Sequence, residues 1–214
     1  MRLRDLPRLP LLALIVSLLS LSVSLSPACA AVPAKVPTVP YAAAFNGVYL
    51  YFSPNGNATA AIVEQIDNAV ANIRVQAYYL TSPQIIDALV AAHLRGVPIE
   101  VVADRSQIKR QRPGVITLAE AGIPVWYDAR HAIAHNKIIL VDDNTIITGS
   151  FNFTKAAETA NAENLVIIQN RTPIQYAYTT NFNAHKAHSI PHPVPEKNLF
   201  VPSFLRPLAP PSED

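Results

Sequence analysis

Six polar or small residues follow one another at close spacing near the middle of the chain. In the order H-x-K-x4-D-x6-G-S-x-N they are His135, Lys137, Asp142, Gly149, Ser150 and Asn152. A neutral imidazole is a competent nucleophile near neutral pH, and cationic and neutral hydrogen-bond donors stabilise charge on oxygen. These groups predict an enzyme that attacks a phosphodiester and holds its charge without a metal ion.

The spacing of His135 and Lys137 predicts that both side chains lie on one face of a β-strand. Alternate residues of a strand point to the same side of a sheet, and Lys137 begins a run rich in Ile, Leu and Val. Gly149 ends the next predicted strand and lets the backbone approach a ligand closely. We expect Lys137, Ser150 and Asn152 to hold phosphate oxygens while His135 attacks phosphorus to form a covalent phosphohistidine.

Two carboxylates near this set have different expected roles. Glu163 begins a later predicted strand, and we expect its carboxylate to accept the second N–H of His135 and so fix the tautomer of the ring. Asp142 lies in a predicted tight turn, where aspartate is common for conformational reasons. Asp142 is therefore either a turn residue or a member of the site, and the sequence leaves both interpretations open.

The segment from His135 resembles the HKD motif of the phospholipase D superfamily. The segment HNKIILVDDNTIITGSFNFTKAAET, with Glu163 after it, is similar to the branch of small bacterial periplasmic endonucleases of the Nuc type. The resemblance extends to VQAYYLTSPQIIDALVAAHLRGVPIEVVADR and NFNAHKAHS, and it covers about residues 48–189. It implies that His135 is the nucleophile and that Lys137 and Asn152 bind phosphate. Ser150 and Glu163 would support them, and the motif's aspartate would be more structural than reactive.

The chain contains a single H-x-K pair. Family members with two motifs use one histidine as the nucleophile and the other as the general acid. The similar small nucleases bring two motifs together in a symmetric dimer, so the resemblance implies a homodimer with a shared active site and no cofactor.

The predicted reaction leaves the molecule that carries the phosphodiester open. The leading hypothesis is a metal-independent endonuclease that cleaves DNA or RNA with little sequence preference. The first alternative is a phospholipase D that hydrolyses phospholipid head groups, because both substrates present the same diester. A non-catalytic nucleic-acid or membrane adaptor is the second alternative.

The predicted secondary structure alternates between strands and helices from Val48 onward. Apolar residues at helical spacing from Thr59 to Ile73 predict a helix, and a Val- and Tyr-rich alternating segment after them predicts a strand. Pro83 and Pro173 lie in the first turns of two further predicted helices, where proline is tolerated. The pattern favours an α/β fold in which a mixed β-sheet is sandwiched between helices on both faces.

Residues 1–30 have the layout of a secretory signal peptide. Arginines precede an apolar stretch from Leu9 to Leu25, and Ala28-Cys29-Ala30 forms a small-residue cleavage site. Export across the inner membrane, to the periplasm, is the expected outcome, and a retained membrane anchor is the alternative. Cleavage would remove Cys29, the only cysteine of the chain, and with it any disulfide or thiolate.

The rest of the chain is expected to divide into three parts. Residues 31–46 form a linker rich in proline and alanine, residues 47–190 form the catalytic domain, and residues 191–214 form a proline-rich, disordered tail.

Net charge does not predict nucleic-acid binding. The chain has 17 basic and 15 acidic residues, and the expected signal peptide carries three arginines and one aspartate, so the mature chain has 14 of each sign. A local basic loop is the exception, and it contains Arg105, Lys109, Arg110 and Arg112. This loop is either a solvated surface or, at the same sheet edge as His135, a binding surface for a polyanion.

Two further groups of residues have types or spacings that could serve a site. The pairs His131/His135 and His185/His188 have helical spacing that can bind zinc, but no H-E-x-x-H carboxylate accompanies them, so no metal site is predicted. Aromatic residues on predicted strands are expected to belong to the core rather than to stack on bases. They are Tyr78, Tyr79 and Trp126.

Overall fold

A computed structural model describes residues 43–109 and 113–193, with the backbone alone described for residues 43–45 and Lys109. The expected signal peptide, most of the expected linker, Arg110, Arg112 and the tail from residue 194 lie outside these ranges. Within them, no helix is long and apolar enough to cross a membrane.

In the described part of the chain, nine strands form one mixed sheet. They are β1 (Ala43–Phe45), β2 (Val48–Ser53), β3 (Ile73–Ala77), β4 (Ile99–Asp104), β5 (Val125–Asp128), β6 (Lys137–Val141), β7 (Thr145–Gly149), β8 (Glu163–Gln169) and β9 (Ile190–Pro191). Their order across the sheet is β1-β2-β8-β7-β6-β3-β4-β5-β9. The pairs β3–β4 and β4–β5 are parallel, and the other neighbours are antiparallel.

Helices cover both faces of this sheet, which confirms the predicted α/β sandwich. They are α1 (Ala58–Asp67), α2 (Pro83–Leu94), α3 (Ser106–Lys109), α4 (Pro113–Glu120), α5 (Lys155–Thr159) and α6 (Thr172–Ala187). Buried side chains of α1, α2, α4 and α5 belong to one large core. On the other face, Phe182 of α6 packs in a smaller core with Val102, Leu140 and Ile146.

Strand β6 is buried on both faces, which explains its continuous apolar sequence. Ile139 and Val141 face the large core, and Ile138 and Leu140 face the core under α6. Burial of each such side chain contributes about 1.5–3 kcal/mol. The strand that carries Lys137 is therefore held firmly from both sides.

The helix expected over residues 59–73 ends earlier than predicted. Helix α1 stops at Asp67, Val70 is 83% exposed, and the fully buried Ile73 begins β3. Ile73 pairs with Ile99 on one neighbouring strand and with Val141 on the other. Its helical spacing from Ile66 is therefore coincidental, because pairing within the sheet determines its position.

The sheet extends past both ends of the expected catalytic domain. Strand β1 lies in the segment expected to be a linker, and it forms a hairpin with β2 through Asn46 and Gly47, both with positive φ. At the other end, Pro191 pairs with Trp126 in the edge strand β9, a position that tolerates proline because no ladder hydrogen bond is lost.

One edge of the sheet collects the ends of several strands, and we call it the site edge. The carboxyl ends of β2, β3, β4, β5 and β7 and the amino ends of β6 and β8 meet there, because Ala77 pairs with Lys137 and Ser53 pairs with Glu163. The turn between β6 and β7, with Asp142, lies at the opposite edge. This topology separates Asp142 from the rest of the predicted site.

Candidate active site

His135 lies at the site edge, at the end of a loop that three hydrogen bonds hold in place. The Ala134 N–H donates to Asp104 Oδ2 (2.8 Å), the Tyr78 N–H donates to the Asn136 carbonyl (3.0 Å), and Lys137 Nζ donates to the His135 carbonyl (2.8 Å). The imidazole itself is exposed and lies 4.6 Å from the Tyr78 ring, centroid to centroid. Among the described residues, none is hydrogen-bonded to its ring nitrogens, so both remain accessible to a substrate.

Lys137 is a buried cation beside this histidine. Its side chain is 6% exposed, and Nζ lies 5.3 Å from the centroid of the Tyr78 ring. Burial lowers the pKa of Lys137, while the negative charge of Glu163 acts in the opposite direction. A partly desolvated ammonium group attracts an anion more strongly than one in bulk water, so Lys137 is suited to bind phosphate.

Gly149 gives the backbone an approach that no other residue allows. Its φ is +144°, and a Cβ at this position would lie 2.3 Å from the Asn164 carbonyl oxygen. That oxygen accepts hydrogen bonds from the N–H groups of Ser150 (3.1 Å) and Phe151 (3.2 Å). The glycine therefore fixes the turn that brings Ser150 to the site edge.

The hydroxyl of Ser150 is used within the protein rather than left free for phosphate. Ser150 Oγ donates to Glu163 Oε2 (2.6 Å) and accepts from the backbone N–H of Asn164 (3.0 Å). The expectation that Ser150 binds phosphate directly does not fit this arrangement, because its single proton is committed to Glu163. Ser150 and Glu163 instead form a positioning pair.

Glu163 makes no hydrogen bond to His135 among the described residues, contrary to expectation. Its Oε1 accepts from Asn161 Nδ2 (3.1 Å), and its Oε2 accepts from Ser150. The physical reason is the strand order, since β7 lies between β6 and β8 and separates their axes by about 9–10 Å. Local sequence patterns do not indicate the order of strands across the sheet.

An open cleft of about 430 Å³ lies over His135 and Lys137. One wall is formed by Thr148 and Gly149 of β7, and the other by Ala177, Tyr178 and Asn181 of α6. Asn152 follows Ser150, and its buried Oδ1 has no hydrogen-bond partner among the described residues. That oxygen can only accept a hydrogen bond, so a phosphate oxygen would have to be bound by Nδ2, the donor of the same amide.

Three residues near the site were not identified from the sequence. Tyr78 was expected to belong to the core, yet its ring is half-buried and faces both His135 and Lys137. Tyr78 directly follows β3, which pairs with β6. Knowledge of this strand pairing would have placed Tyr78 beside His135 and Lys137. Tyr178 and Asn181 reach the cleft through the packing of α6 on the sheet, which no local pattern indicates.

Asp142 is a structural residue rather than a member of the site. Its Oδ1 accepts from the N–H groups of Ala71 (2.7 Å) and Asn72 (3.0 Å), and its Oδ2 accepts from that of Val70 (2.9 Å). Residues 138–141 of β6 lie between it and Lys137, which places the two residues about 16 Å apart along the strand, and His135 lies farther still. The carboxylate holds the loop between α1 and β3 at the opposite edge.

The basic loop is only partly described. Arg105 is exposed directly after β4, at the site edge, and its N–H donates to the Asp128 carbonyl (3.3 Å). Lys109 ends the short helix α3, a turn of structure where only a loop was expected. Arg110 and Arg112 lie outside the described residues.

Comparisons with known proteins agree with this geometry. Residues 62–186 match the family model described as "Cardiolipin synthase, PLD-like domain". A Rickettsia felis protein named phospholipase D is 41% identical over 136 residues, which cover 64% of this chain and 68% of that protein. The crystal structure of Nuc, a phospholipase D family member from Salmonella typhimurium, has 37% sequence identity and a TM-score of 0.63. The likeness covers 69% of this chain and 98% of Nuc.

Proposed function

This chain belongs to the phospholipase D superfamily and is a phosphodiesterase, and from that premise we propose that its substrate is nucleic acid. The proposal is a metal-independent endonuclease that cleaves DNA or RNA with little sequence preference. The observation that carries it is the open cleft over His135 and Lys137, because a polymer must enter and leave the site on both sides of the cleaved bond.

The proposed reaction proceeds in two displacements at phosphorus. A neutral ring nitrogen of His135 attacks phosphorus, the P–N bond forms, and one ester oxygen leaves. Lys137 Nζ and Asn152 Nδ2 donate to the non-bridging oxygens and stabilise the charge that develops on them. Water then attacks the phosphohistidine, the P–N bond breaks, and the phosphomonoester is released.

The leaving oxygen needs a proton, and the described residues around His135 offer no second imidazole for this role. We propose that His135 of the partner subunit donates that proton and later accepts one from the attacking water. A symmetric dimer brings the two histidines together on the two-fold axis. The exposed position of His135 at the sheet edge is compatible with such a contact.

Arg105 supports nucleic acid as the substrate class. Its guanidinium is exposed at the site edge, where it can contact a phosphate one or more nucleotides away from the cleaved bond. Arg105 follows β4, two strands away from β6, so a polymer bound at His135 can extend to it. The closeness of Lys109, Arg110 and Arg112 to Arg105 in sequence motivates them as further substrate contacts.

Phospholipid is the second candidate substrate. The R. felis relative is named phospholipase D, and the apolar side chains of Phe52 (45% exposed) and Ile133 (56% exposed) lie near the site edge. Exposed apolar residues beside a phosphodiester site suit a lipid surface. His135, Lys137 and Asn152, together with relatives named as enzymes, argue against a non-catalytic adaptor.

The substrate class can be tested directly. The purified mature chain is incubated with plasmid DNA, with RNA and with phosphatidylcholine vesicles in excess chelator, and products are quantified for each. Cleavage of nucleic acid with no release of choline is the expected result. Arg105→Ala should raise KM for plasmid DNA several-fold and leave KM for a small chromogenic diester unchanged. Turnover of lipid alone would overturn the proposal in favour of a phospholipase D.

A shared site makes activity depend on dimerisation, which predicts the effect of Ile133→Asp. Ile133 lies two residues before His135, so a charge there would be buried against the partner subunit and would destabilise the dimer. We expect a shift towards monomer in sedimentation and a parallel loss of activity at low protein concentration. Leu94→Asp is the matched control, because Leu94 is 80% exposed at the end of α2 away from the site edge. A fully active monomer of either variant would contradict the shared site.

We also propose that the protein is exported and acts in the periplasm. The proposal rests on the signal-peptide layout of residues 1–30, and export would give the enzyme access to nucleic acid outside the cytoplasm. N-terminal sequencing of protein from a periplasmic extract should begin at Ala31. Recovery of the uncleaved chain in the membrane fraction would favour the anchored alternative.

A further inference from the structure

Three histidines from distant parts of the chain converge on one buried carboxylate. Asp128 ends β5 and is fully buried, and its Oδ2 lies 2.8 Å from His131 Nδ1, 2.9 Å from His185 Nδ1 and 3.3 Å from His188 Nε2. His185 lies in the last turn of α6, and His188 is its C-terminal cap. The helical spacing of His131 and His135 suggested that these two histidines could share a ligand. His131 instead lies in a loop that packs against the C-terminal end of α6.

Hydrogen bonding alone does not account well for this cluster. Asp128 Oδ1 already accepts the backbone N–H groups of Arg130 (3.0 Å) and His131 (3.2 Å). Oδ2 has two lone pairs but three imidazole nitrogens around it, and each would need to carry a proton at the contacting atom. Neutral rings could each present an N–H to Oδ2, but only two of the three could meet a lone pair, and the ring centroids crowd to 4.9–5.4 Å of one another.

A single metal ion would satisfy all four groups at once. Four ligands at the zinc–nitrogen and zinc–oxygen distances of about 2.0–2.1 Å form a tetrahedron with edges of about 3.3–3.4 Å. The distances from Asp128 Oδ2 to the three nitrogens are 2.8, 2.9 and 3.3 Å, and all four ligand atoms lie within 4.8 Å of one another. Ring movements that change these separations by up to about 1.4 Å would bring the four atoms to tetrahedral positions.

We propose that Asp128, His131, His185 and His188 form a structural site for a divalent transition metal, with zinc as the ion that three imidazoles and a carboxylate suit best. All four tetrahedral positions are filled by side chains, as in closed structural sites rather than catalytic ones. His131 is 45% exposed and gives the ion a path of entry from solvent.

The position of this site gives the metal a mechanical role in the enzyme. It joins the C-terminal end of α6 to the end of β5 and to the loop that leads to His135. Helix α6 also supplies Tyr178 and Asn181 to the wall of the cleft. The ion would therefore stabilise the wall and the loop of the active site without entering the chemistry, and this inference does not depend on which phosphodiester is the substrate.

The test uses the untagged mature chain, because a polyhistidine tag would itself bind zinc. Protein treated with chelator and then dialysed is titrated with Zn²⁺ by calorimetry, and its Tm is measured with and without the ion. We expect one Zn²⁺ per chain by elemental analysis and a rise in Tm of about 8 °C or more at a free Zn²⁺ concentration 1,000 times Kd. Absence of zinc uptake together with an unchanged Tm would overturn the proposal.

Single substitutions identify the ligands. His131→Ala should weaken zinc binding at least about 100-fold, and it is the safest ligand to remove because its side chain is the most exposed of the four. His93→Ala is the matched control, since His93 lies in α2 outside the cluster, and it should bind zinc like the wild type. His135→Ala should also keep its zinc, which separates this site from the active site. Wild-type affinity in His131→Ala would overturn the assignment.

Discussion

His135→Ala is expected to lower kcat/KM for a phosphodiester by about 10⁴-fold or more. The substitution removes the nucleophile from each subunit and, in a shared site, also removes the group that protonates the leaving oxygen. Both losses act on the same reaction, so their effects are not additive. The measurement is the rate of hydrolysis of a small chromogenic diester and of plasmid DNA in excess chelator.

The fold should survive this substitution, which makes the loss of activity interpretable. The His135 ring is exposed and accepts or donates no hydrogen bond among the described residues, so the free energy of unfolding should change by less than about 0.5 kcal/mol. His93→Ala, a histidine replaced far from the site edge, should keep wild-type rates. Rapid quenching of the wild type with a labelled diester should trap phosphohistidine, and an adduct that persists in His135→Ala would show that another residue is the nucleophile.

The central strands of the site could be predicted because their signals are local. The continuous apolar run from Ile138 to Val141 indicates a strand buried on both faces, and the following turn places the next strand beside it. Gly149 then marks a close backbone approach, which the structure explains by the nearby Asn164 carbonyl. These features need only the sequence order of neighbouring elements, so His135, Lys137 and Gly149 could be brought together from sequence alone.

Contacts that depend on the order of strands across the sheet could not be predicted. Glu163 was expected beside His135, but β7 lies between their strands, and the carboxylate binds Ser150 instead. The cluster around Asp128 joins His131 to His185, which lies 57 positions after the aspartate in sequence. Spacing within one segment carries no information on such contacts, because the packing of α6 on the sheet creates them.

The role of Asp142 also depends on strand pairing that the sequence does not indicate. The sequence offered two interpretations, a turn residue or a site residue, and the difference is which end of β6 carries the chemistry. Lys137 pairs with Ala77 at the site edge, while Val141 pairs with Ile73 at the opposite edge. The motif's aspartate therefore stabilises the fold that presents the motif's histidine and lysine, and the two roles can be separated by experiment.

Asp142→Asn is expected to destabilise the protein by about 2–3 kcal/mol and to lower Tm by about 5–10 °C. Asparagine tolerates the positive φ of 50° at this position, so the backbone of the turn is not strained. The carboxylate accepts three backbone N–H bonds from residues 70–72, and the amide turns one of its two oxygens into a donor that faces N–H groups. Thermal unfolding followed by circular dichroism measures the change.

Asp143→Asn is the matched control, because its φ is 53° and its carboxylate also lies in the turn. Asp143 is 62% exposed, and its ion pair with Arg74 should contribute less than about 1 kcal/mol. Well below the Tm of each variant, both should hydrolyse a small diester within about twofold of the wild-type rate, a difference of less than about 0.5 kcal/mol in the barrier. A hundredfold loss of kcat in Asp142→Asn with an unchanged Tm would instead show that this aspartate takes part in catalysis.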